Sequence, residues 1–460
     1  MNQRPFSMKD KLGYTLGDLG TCCTEQFRGM FLAVFYTLVL QINPFHVGIL
    51  LLVTKIWDAI NDPIIGALVD MRKSTKGGRF IPWIRAFSFP MAMVCVLGFV
   101  NVSNLDYGLR LIYCFVTYVL YEALFTCVQV PFGSLSSVMT DEVKHRTALS
   151  RYRSLGGTIF MTVIIMVGPL VLYENNSPVP GRFLMMAAIC ALVGLLCLQI
   201  TCVWCKERVV RAPKKDEKFN WFVIIGQIMR NKALLGVMLF SLVGMIGASV
   251  VNGLNLYLYK DWFGDVKIQA AAGGLTTLYA LIAFFIAQPL ATKLGKKEWC
   301  MYGAGFAALL FAVLFFFPVH NPWLFIVING VCYLGASGMQ VLVWALVNDA
   351  IDYHELQTGE RNEGVMYSAY SFFRKLAGAV SGSLASFVLG FIGYNTATGA
   401  VQTEAVVNSL WKGYTASYFI GYGLAVVLLL VLYPLSKKKT YEMIEQLRER
   451  RAAAAQKTPE

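Results

Sequence analysis

Apolar segments long enough to cross a bilayer recur from one end of this chain to the other. Such a crossing takes about 20 mostly apolar residues in a helix. The segments lack the alternation of barrel strands, and a backbone in lipid must satisfy its own hydrogen bonds, so the pattern predicts helices. They are predicted at 12–40, 44–70, 82–103, 107–138, 152–174, 182–205, 231–259, 268–292, 299–317, 322–347, 364–393 and 412–435. We therefore expect an all-α integral membrane protein with twelve transmembrane helices.

One long polar break, residues 206–230, separates the predicted helices into two sets of six. The chain thus divides into an N-terminal six-helix half (1–205), a cytoplasmic connector (206–230), a C-terminal six-helix half (231–435) and a cytoplasmic tail (436–460). The charged tail could form an amphipathic helix at the membrane surface or lie in solvent. The layout resembles the major facilitator fold, whose halves are related by pseudo-symmetry.

Composition excludes a soluble domain, because 57% of the residues are hydrophobic and only 15% are charged. The formal net charge of +13 is concentrated in alternate loops, such as 72–79 and 206–218, and in the tail. Short loops rich in Lys and Arg stay on the cytoplasmic side, so both termini are predicted to be cytoplasmic. The basic excess therefore does not indicate nucleic-acid binding, and the lipid bilayer is the expected partner.

Ionisable residues within the predicted spans are the first candidates for function. A charge in the bilayer is costly unless it is paired or hydrated, so such residues usually line a pathway or a site. Outside the segment from Lys55 to Pro63 they are Asp18, Glu25, Arg28, Glu122, Arg374 and Lys375.

The densest cluster of polar groups lies between Lys55 and Pro63. Asp58, Asn61 and Asp62 are spaced i, i+3 and i+4 there, so they share one face of a helix. Their oxygens can bind a small hard cation or hold a shared proton. A purely structural alternative has Asp62-Pro63 kinking the helix while Asp58 pairs with Lys55.

Several motifs together resemble the glycoside-pentoside-hexuronide:cation symporter family, the melibiose permease-like branch of the major facilitator superfamily. They are WDAINDP with the basic loop after it, PFGSL in helix four, Gly13-Tyr14 with Gly17-Asp18, Asp352-Tyr353 to Glu363-Gly364, and Arg374-Lys375. The resemblance covers nearly the whole chain. It implies a secondary active symporter that imports a sugar or glycoside, uronides included, with Na+ or H+ by alternating access.

Other classes of function are less favoured. An uncoupled facilitator or a lysolipid-type transporter of the same superfamily is the alternative that stays open. An enzyme is not expected, since no Ser/His/Asp set, P-loop or HExxH motif is present. We predict a monomer in the bacterial inner membrane, with a small-molecule sugar as partner and no cofactor or metal beyond the coupling ion.

The resemblance implies a complete cation site, because all four of the family's cation-binding residues have counterparts in this sequence. Its two aspartates and its asparagine fall on Asp58, Asp62 and Asn61, and its helix-four threonine falls on Thr126. The family uses sodium, lithium or protons at this site. Carboxylates accept either kind of ion, so the residue types leave that choice open.

The sugar site of the family carries over only in part. Cys22 and Gln129 stand where its galactoside-binding members have aspartates, and Gly133 stands where they have tryptophan. Arg153 and Lys375 match its helix-five arginine and helix-eleven lysine. Substrate binding is therefore predicted at these five positions, without galactoside specificity.

Helix one adds two charged residues to the predicted substrate site. Glu25 and Arg28 stand at i and i+3, one helical turn apart. The guanidinium of Arg28 could bind the carboxylate of a uronide in a bidentate manner. Alternatively, Arg28 and Glu25 neutralise each other.

Charged residues of the cytoplasmic loops are predicted to gate transport by pairing in one state and separating in the other. A simple surface-charge interpretation is also open, because inner loops are basic in any case. The candidate gating residues are Asp70, Arg72, Arg79, Asp141, Arg146 and Arg361.

Overall fold

The computed structural model of the chain describes residues 5–71, 78–140, 142–208, 231–359, 370, 374, 377–378, 383–397 and 400–456. Nearly all of them are helical, which confirms the all-α prediction. The helices of the first half are α1 (Met8–Val34, continued by a π-helical turn, Phe35–Val39), α2 (Pro44–Met71), α3 (Ile81–Leu97), α4 (Tyr107–Met139), α5 (Val143–Leu172) and α6 (Pro180–Trp204). A short antiparallel ladder of β1 (Tyr173–Glu174) and β2 (Ser177–Pro178) joins α5 to α6.

The described helices of the second half continue the series. They are α7 (Lys232–Asp261), α8 (Ile268–Leu294), α9 (Lys296–Phe316), α10 (Pro322–Val341), α11 (Val343–Thr358), α12 (383–391), α13 (Glu404–Leu432) and α14 (Lys437–Gln456). The predicted helix 364–393 is described only in part. The predicted helix 322–347 is interrupted at Leu342, and α11 then runs on to Thr358, beyond the apolar stretch that hydropathy detects.

Six helical segments of the described chain are long and apolar enough to cross a membrane. They are Tyr107–Ser136, Pro180–Trp204, Lys232–Asp261, Lys296–Phe316, Pro322–Thr358 and Glu404–Leu432. Neither α1 nor α2 is among them, since charged residues such as Asp18, Glu25 and Asp58 lower their hydropathy. The count of twelve spans therefore stays a prediction.

The chain forms two compact units. The first contains Met1–Glu217, Tyr259–Gly273 and Gly382–Thr403, and the second contains Lys218–Leu258, Gly274–Ser381 and Glu404–Glu460. In the first unit α1 packs against α5 and α6, while α4 packs against α2 and α3. In the second unit α9 packs against α10 and α13.

Glycines let helices approach closely in both units. A Cβ atom at Gly20 of α1 would lie 2.8 Å from the carbonyl oxygen of Gly194 on α6, and a Cβ atom at Gly194 would lie 2.8 Å from that of Gly20. In the second unit, a Cβ atom at Gly421 of α13 would lie 3.2 Å from Cα of Gly247 on α7. Small residues at such crossings are typical of helix packing in membranes.

Two acidic residues fix the start of the connector to the first unit. The carboxylate of Glu207 accepts hydrogen bonds from the peptide N–H groups of Arg79, Phe80 and Ile81, each 2.8 Å long, at the beginning of α3. Both Asp10 carboxylate oxygens accept from Nη2 of Arg208 at 3.0 Å. An anion at a helix N-terminus is favoured by the helix dipole. Residues 209–230 of the connector lie outside the described residues.

The tail forms a helix that packs on the second unit. Met443 and Leu447 of α14 are buried in the apolar core that includes Leu346 and Ile351 of α11. Nη1 of Arg450 donates to the carbonyl oxygen of Leu356 at 2.8 Å. The tail is therefore helical, and its apolar side faces protein. Its position at the membrane surface stays a prediction.

Candidate cation and sugar site

The predicted cation-binding residues come together between α2 and α4. The hydroxyl oxygen of Thr126 lies 3.1 Å from Oδ1 of Asp58 and 3.2 Å from Oδ1 of Asp62. Its single proton can be donated to only one carboxylate at a time. Asn61, on the turn between the aspartates, is 6% exposed, and its Nδ2 has no hydrogen-bond partner among the described residues.

The structural alternative for this segment has two parts, a helix kink at Asp62-Pro63 and an ion pair between Lys55 and Asp58. Helix α2 continues through Pro63 to Met71. Lys55 forms its described ion pairs with Glu122 and Glu25, with Nζ at 3.2 Å and 3.9 Å from their Oε1 atoms, rather than with Asp58. The Lys55–Asp58 ion pair is therefore not among the described ion pairs, and the kink at Asp62-Pro63 stays a prediction.

Carboxylates outnumber cations around this group. If all members were ionised, the net charge would be −2, from Glu25, Asp58, Asp62 and Glu122 against Lys55 and Arg28. Glu122 is 3% exposed and Lys55 is 24% exposed, so the pair is largely removed from water. An anionic excess in a membrane-spanning region is stabilised by binding a cation or a proton.

A second cluster lies around Asp18 on α1. Its Oδ1 accepts a hydrogen bond from Nε of Arg153 on α5 at 3.0 Å, and its Oδ2 accepts from the peptide N–H of Gly157 at 3.0 Å. The sulfur of Cys22 lies 3.9 Å from the same Oδ2. A Cβ atom at Gly133 of α4 would lie 4.0 Å from Nη1 of Arg153.

Three of the predicted substrate-binding residues are thus neighbours, namely Cys22, Gly133 and Arg153. Gln129 lies one turn before Gly133 on α4, and its Oε1 is buried without a hydrogen-bond partner among the described residues. Lys375 lies outside the described residues. The side chain of Arg153 is 34% exposed, so part of its guanidinium remains available to a ligand.

Asp18 and Gln26 lie at this site in the structure, although the sequence alone did not predict them as part of it. Asp18 holds Arg153 by the ion pair described above, and Gln26 lies next to Gly157, where a Cβ atom would be 3.7 Å from its Nε2. The signal that finds them is spacing, because residues 18, 22 and 26 are successive i, i+4 positions on the same face of α1.

Glu25 and Arg28 occupy different surroundings from Arg153. Glu25 faces Lys55. Arg28 is 2% exposed and packs over the rings of Tyr121 and Tyr118, with Cζ 3.8 Å and 5.1 Å from their centroids. None of its guanidinium nitrogens has a hydrogen-bond partner among the described residues. The internal Arg28–Glu25 pair is therefore not formed.

Only one predicted gating residue has a described side chain. Arg79 donates its peptide N–H to Glu207, and its guanidinium lies 4.8 Å from the ring centroid of Phe80. The side chains of Asp70 and Arg146 lie outside the described part of the chain, as do Arg72, Asp141 and Arg361 altogether. In the described residues, no group of three or more His, Cys, Asp or Glu side chains could hold a metal ion.

Comparison with known proteins gives matches along nearly the full length. A family model described as MFS/sugar transport protein matches residues 13–437. The glucuronide carrier protein homolog of Escherichia coli K12 is 26% identical over 99% of this chain and 98% of its own length. The putative glycoside/cation symporter YagG of the same organism is 26% identical over 99% of this chain and 98% of its own.

Solved structures share the architecture. A bacterial homologue of the iron transporter ferroportin, in its inward-facing state, aligns with a TM-score of 0.66 over 94% of this chain and 100% of that one. The sequence identity is 13%, so this likeness bears on the fold alone.

Proposed function

Because the chain belongs to the MFS/sugar transport protein family, we propose that it is a symporter that imports a sugar or glycoside with Na+ or H+ by alternating access. Membership confirms the resemblance to sugar transporters, the all-α transporter fold and a role as a transporter rather than an enzyme. The similarity to a glucuronide carrier homolog and a putative glycoside/cation symporter supports a sugar substrate and a coupling cation. The similarity to an inner membrane symporter of Escherichia coli K12 supports a location in the bacterial inner membrane, and the basic loops support an orientation with both termini in the cytoplasm.

The observation that carries the proposal is the convergence of Asp58, Asp62 and Thr126. Two carboxylates and a hydroxyl within hydrogen-bonding distance can replace much of the hydration shell of a small cation, or share a proton. In this proposal the cation occupies the group, with Asn61 as a further ligand, and neutralises part of its anionic excess.

The sugar is bound in the Asp18–Arg153 cluster. The ion pair with Asp18 orients the guanidinium of Arg153, while Cys22, Gln129 and Gly133 leave the pocket without the acids and the tryptophan of galactoside carriers. Lys375 stays a predicted substrate-binding residue outside the described part of the chain. Gln129 supplies a buried amide oxygen that can accept a hydrogen bond from a sugar hydroxyl.

The experiment first identifies the transported sugar and then tests the role of the cation site. Thermal stabilisation of the purified protein by neutral glycosides, pentosides and uronides, with and without Na+ and at two pH values, identifies the sugar and the ion together. Accumulation and counterflow of that sugar are then measured in membrane vesicles carrying Asp58→Asn.

The substitution is expected to abolish accumulation driven by an ion gradient while exchange of sugar for sugar continues, because only the coupling site is changed. Asp106→Asn, at an exposed residue just before α4, is the matched control and should accumulate normally. Normal accumulation by Asp58→Asn would rule out this cation site. Stabilisation by lipids and by no sugar would rule out the proposed function.

A further inference from the structure

A cavity of about 200 Å³ lies within the second unit. One side is apolar, with Met245 from α7, Met339 from α10 and Val343 from α11. The polar side chains are Ser241 of α7, Tyr422 of α13 and the helical residues Tyr370 and Arg374. Sites for drug-sized ligands measure roughly 300–1,000 Å³. This cavity therefore suits a single sugar ring or one end of a larger glycoside.

Arg374 is the one fully charged residue among the described residues that line this cavity. Arg153 and Arg208 form ion pairs with Asp18 and Asp10. No described acidic side chain pairs with Arg374, which is exposed within its unit. A guanidinium facing a partly apolar cavity without a counter-charge favours an anionic ligand.

Aromatic side chains lie beside Arg374, and one of them, Tyr370, lines the cavity. Its Cζ lies 5.9 Å from the ring centroid of Trp344. The rings of Trp344 and Tyr370 meet edge to face, with centroids 4.8 Å apart and planes at 75°. The hydroxyl of Tyr370 lies 3.5 Å from Oγ of Ser241. The guanidinium thus projects beside a rigid aromatic surface of the kind that small-molecule sites use to orient a ligand.

We propose, on the basis of the proposed function, that this cavity is a subsite of the second unit that binds an anionic sugar independently of the Asp18–Arg153 cluster, and that Arg374 is the residue that binds its acidic group. The planar guanidinium matches a carboxylate in a bidentate manner, and Tyr370 and Tyr422, which line the cavity, pack against the ring that carries it. Arg28 is a poor candidate for the same role, because it is 2% exposed and enclosed by tyrosine rings.

The test compares a matched pair of probes, p-nitrophenyl β-D-glucuronide and p-nitrophenyl β-D-glucoside, which differ only in the charged group. Affinities are measured by calorimetry on the purified full chain in saturating Na+ at two pH values. The wild type is expected to prefer the glucuronide. Arg374→Gln should weaken glucuronide binding roughly tenfold to hundredfold, the range for a charge-assisted hydrogen bond, and leave glucoside binding unchanged.

Two further variants control the result. Arg182→Gln removes an arginine that pairs with Glu174 beside the ladder of β1 and β2, and it should leave both affinities unchanged. Arg374→Lys keeps the charge but not the bidentate geometry, so it should recover only part of the glucuronide affinity. If Arg374→Gln does not fold, the wild-type preference and Arg374→Lys decide.

The outcomes separate this inference from the function on which it rests. Equal binding of both probes by the wild type, or equal weakening of both by Arg374→Gln, would overturn the anionic subsite and leave sugar transport standing. If neither these probes nor the wider panel of sugars bound to the wild type, the proposed function would fall and the subsite with it.

Discussion

Lys55 of α2 pairs with a buried carboxylate of α4 and a partly exposed carboxylate of α1. Its Nζ lies 3.2 Å from Oε1 of Glu122, whose side chain is 3% exposed, and 3.9 Å from Oε1 of Glu25. A buried carboxylate that loses its partner keeps its desolvation cost without compensation. Removing the lysine should therefore cost more than the ion pair itself contributes.

Lys55→Met is expected to destabilise the protein by about 3–5 kcal/mol, seen as a lower melting temperature of the purified protein. Adding Glu122→Gln should restore part of this loss, because the acid left unpaired becomes neutral. The double-mutant cycle isolates the coupling between the two residues. Lys412→Met, at an exposed position of α13, should change stability by no more than about 0.5 kcal/mol. A melting temperature of Lys55→Met equal to that of the wild type would contradict this account.

At the scale of elements, the first and last helices of the N-terminal half meet through glycines. Gly20 on α1 and Gly194 on α6 each leave room for the carbonyl oxygen of the other. The obstacle to a larger residue is backbone, which cannot rotate away as a side chain can. The crossing of Gly247 on α7 with Gly421 on α13 repeats the arrangement in the second unit.

Gly20→Ala is expected to lower stability by about 1–3 kcal/mol, because its Cβ atom would press on the carbonyl oxygen of Gly194 at 2.8 Å. Gly29→Ala in the same helix is the matched control, since nothing lies within 4 Å of its Cβ position. Alanine favours helix over glycine by roughly 1 kcal/mol, so Gly29→Ala should be neutral or stabilising. Thermal unfolding of both variants measures the difference, and equal effects would refute the close crossing.

At the scale of the whole molecule, the charge that moves per transport cycle depends on the substrate. One monovalent cation moving inward through 100 mV supplies about 2.3 kcal/mol, which corresponds to roughly fiftyfold accumulation of a neutral sugar. A sugar with one carboxylate that moves with one such cation carries no net charge. Its accumulation then depends on the ion gradient alone.

Vesicles with an imposed, inside-negative potential of about 100 mV should therefore accumulate a transported neutral glycoside up to roughly fiftyfold. Accumulation of a glucuronide should be unaffected by the same potential and should instead follow an inward Na+ or H+ gradient. Radiolabelled uptake with the potential clamped by K+ and valinomycin measures both. An uncoupled facilitator would not concentrate the neutral glycoside under either condition, and that result would exclude symport.

The amino-acid sequence by itself determined the local features of this protein. Apolar length predicted the helices, because a backbone in lipid satisfies its hydrogen bonds within each segment. The i, i+3, i+4 spacing placed Asp58, Asn61 and Asp62 on one face, because helical geometry is set by a single turn. Boundaries were less accurate where helices leave the apolar region, as in α11, since hydropathy records only the part that suits lipid.

Only the tertiary structure decided which distant groups meet. Contacts of Thr126 with Asp58 and of Arg153 with Asp18 join residues 68 and 135 positions apart. Their formation depends on how helices pack, which no local pattern contains. Packing also buried Arg28 among tyrosines and left Arg374 facing a cavity, although both are arginines within predicted helices. Helix faces follow from local geometry, whereas the neighbours of each face follow from packing across the whole chain.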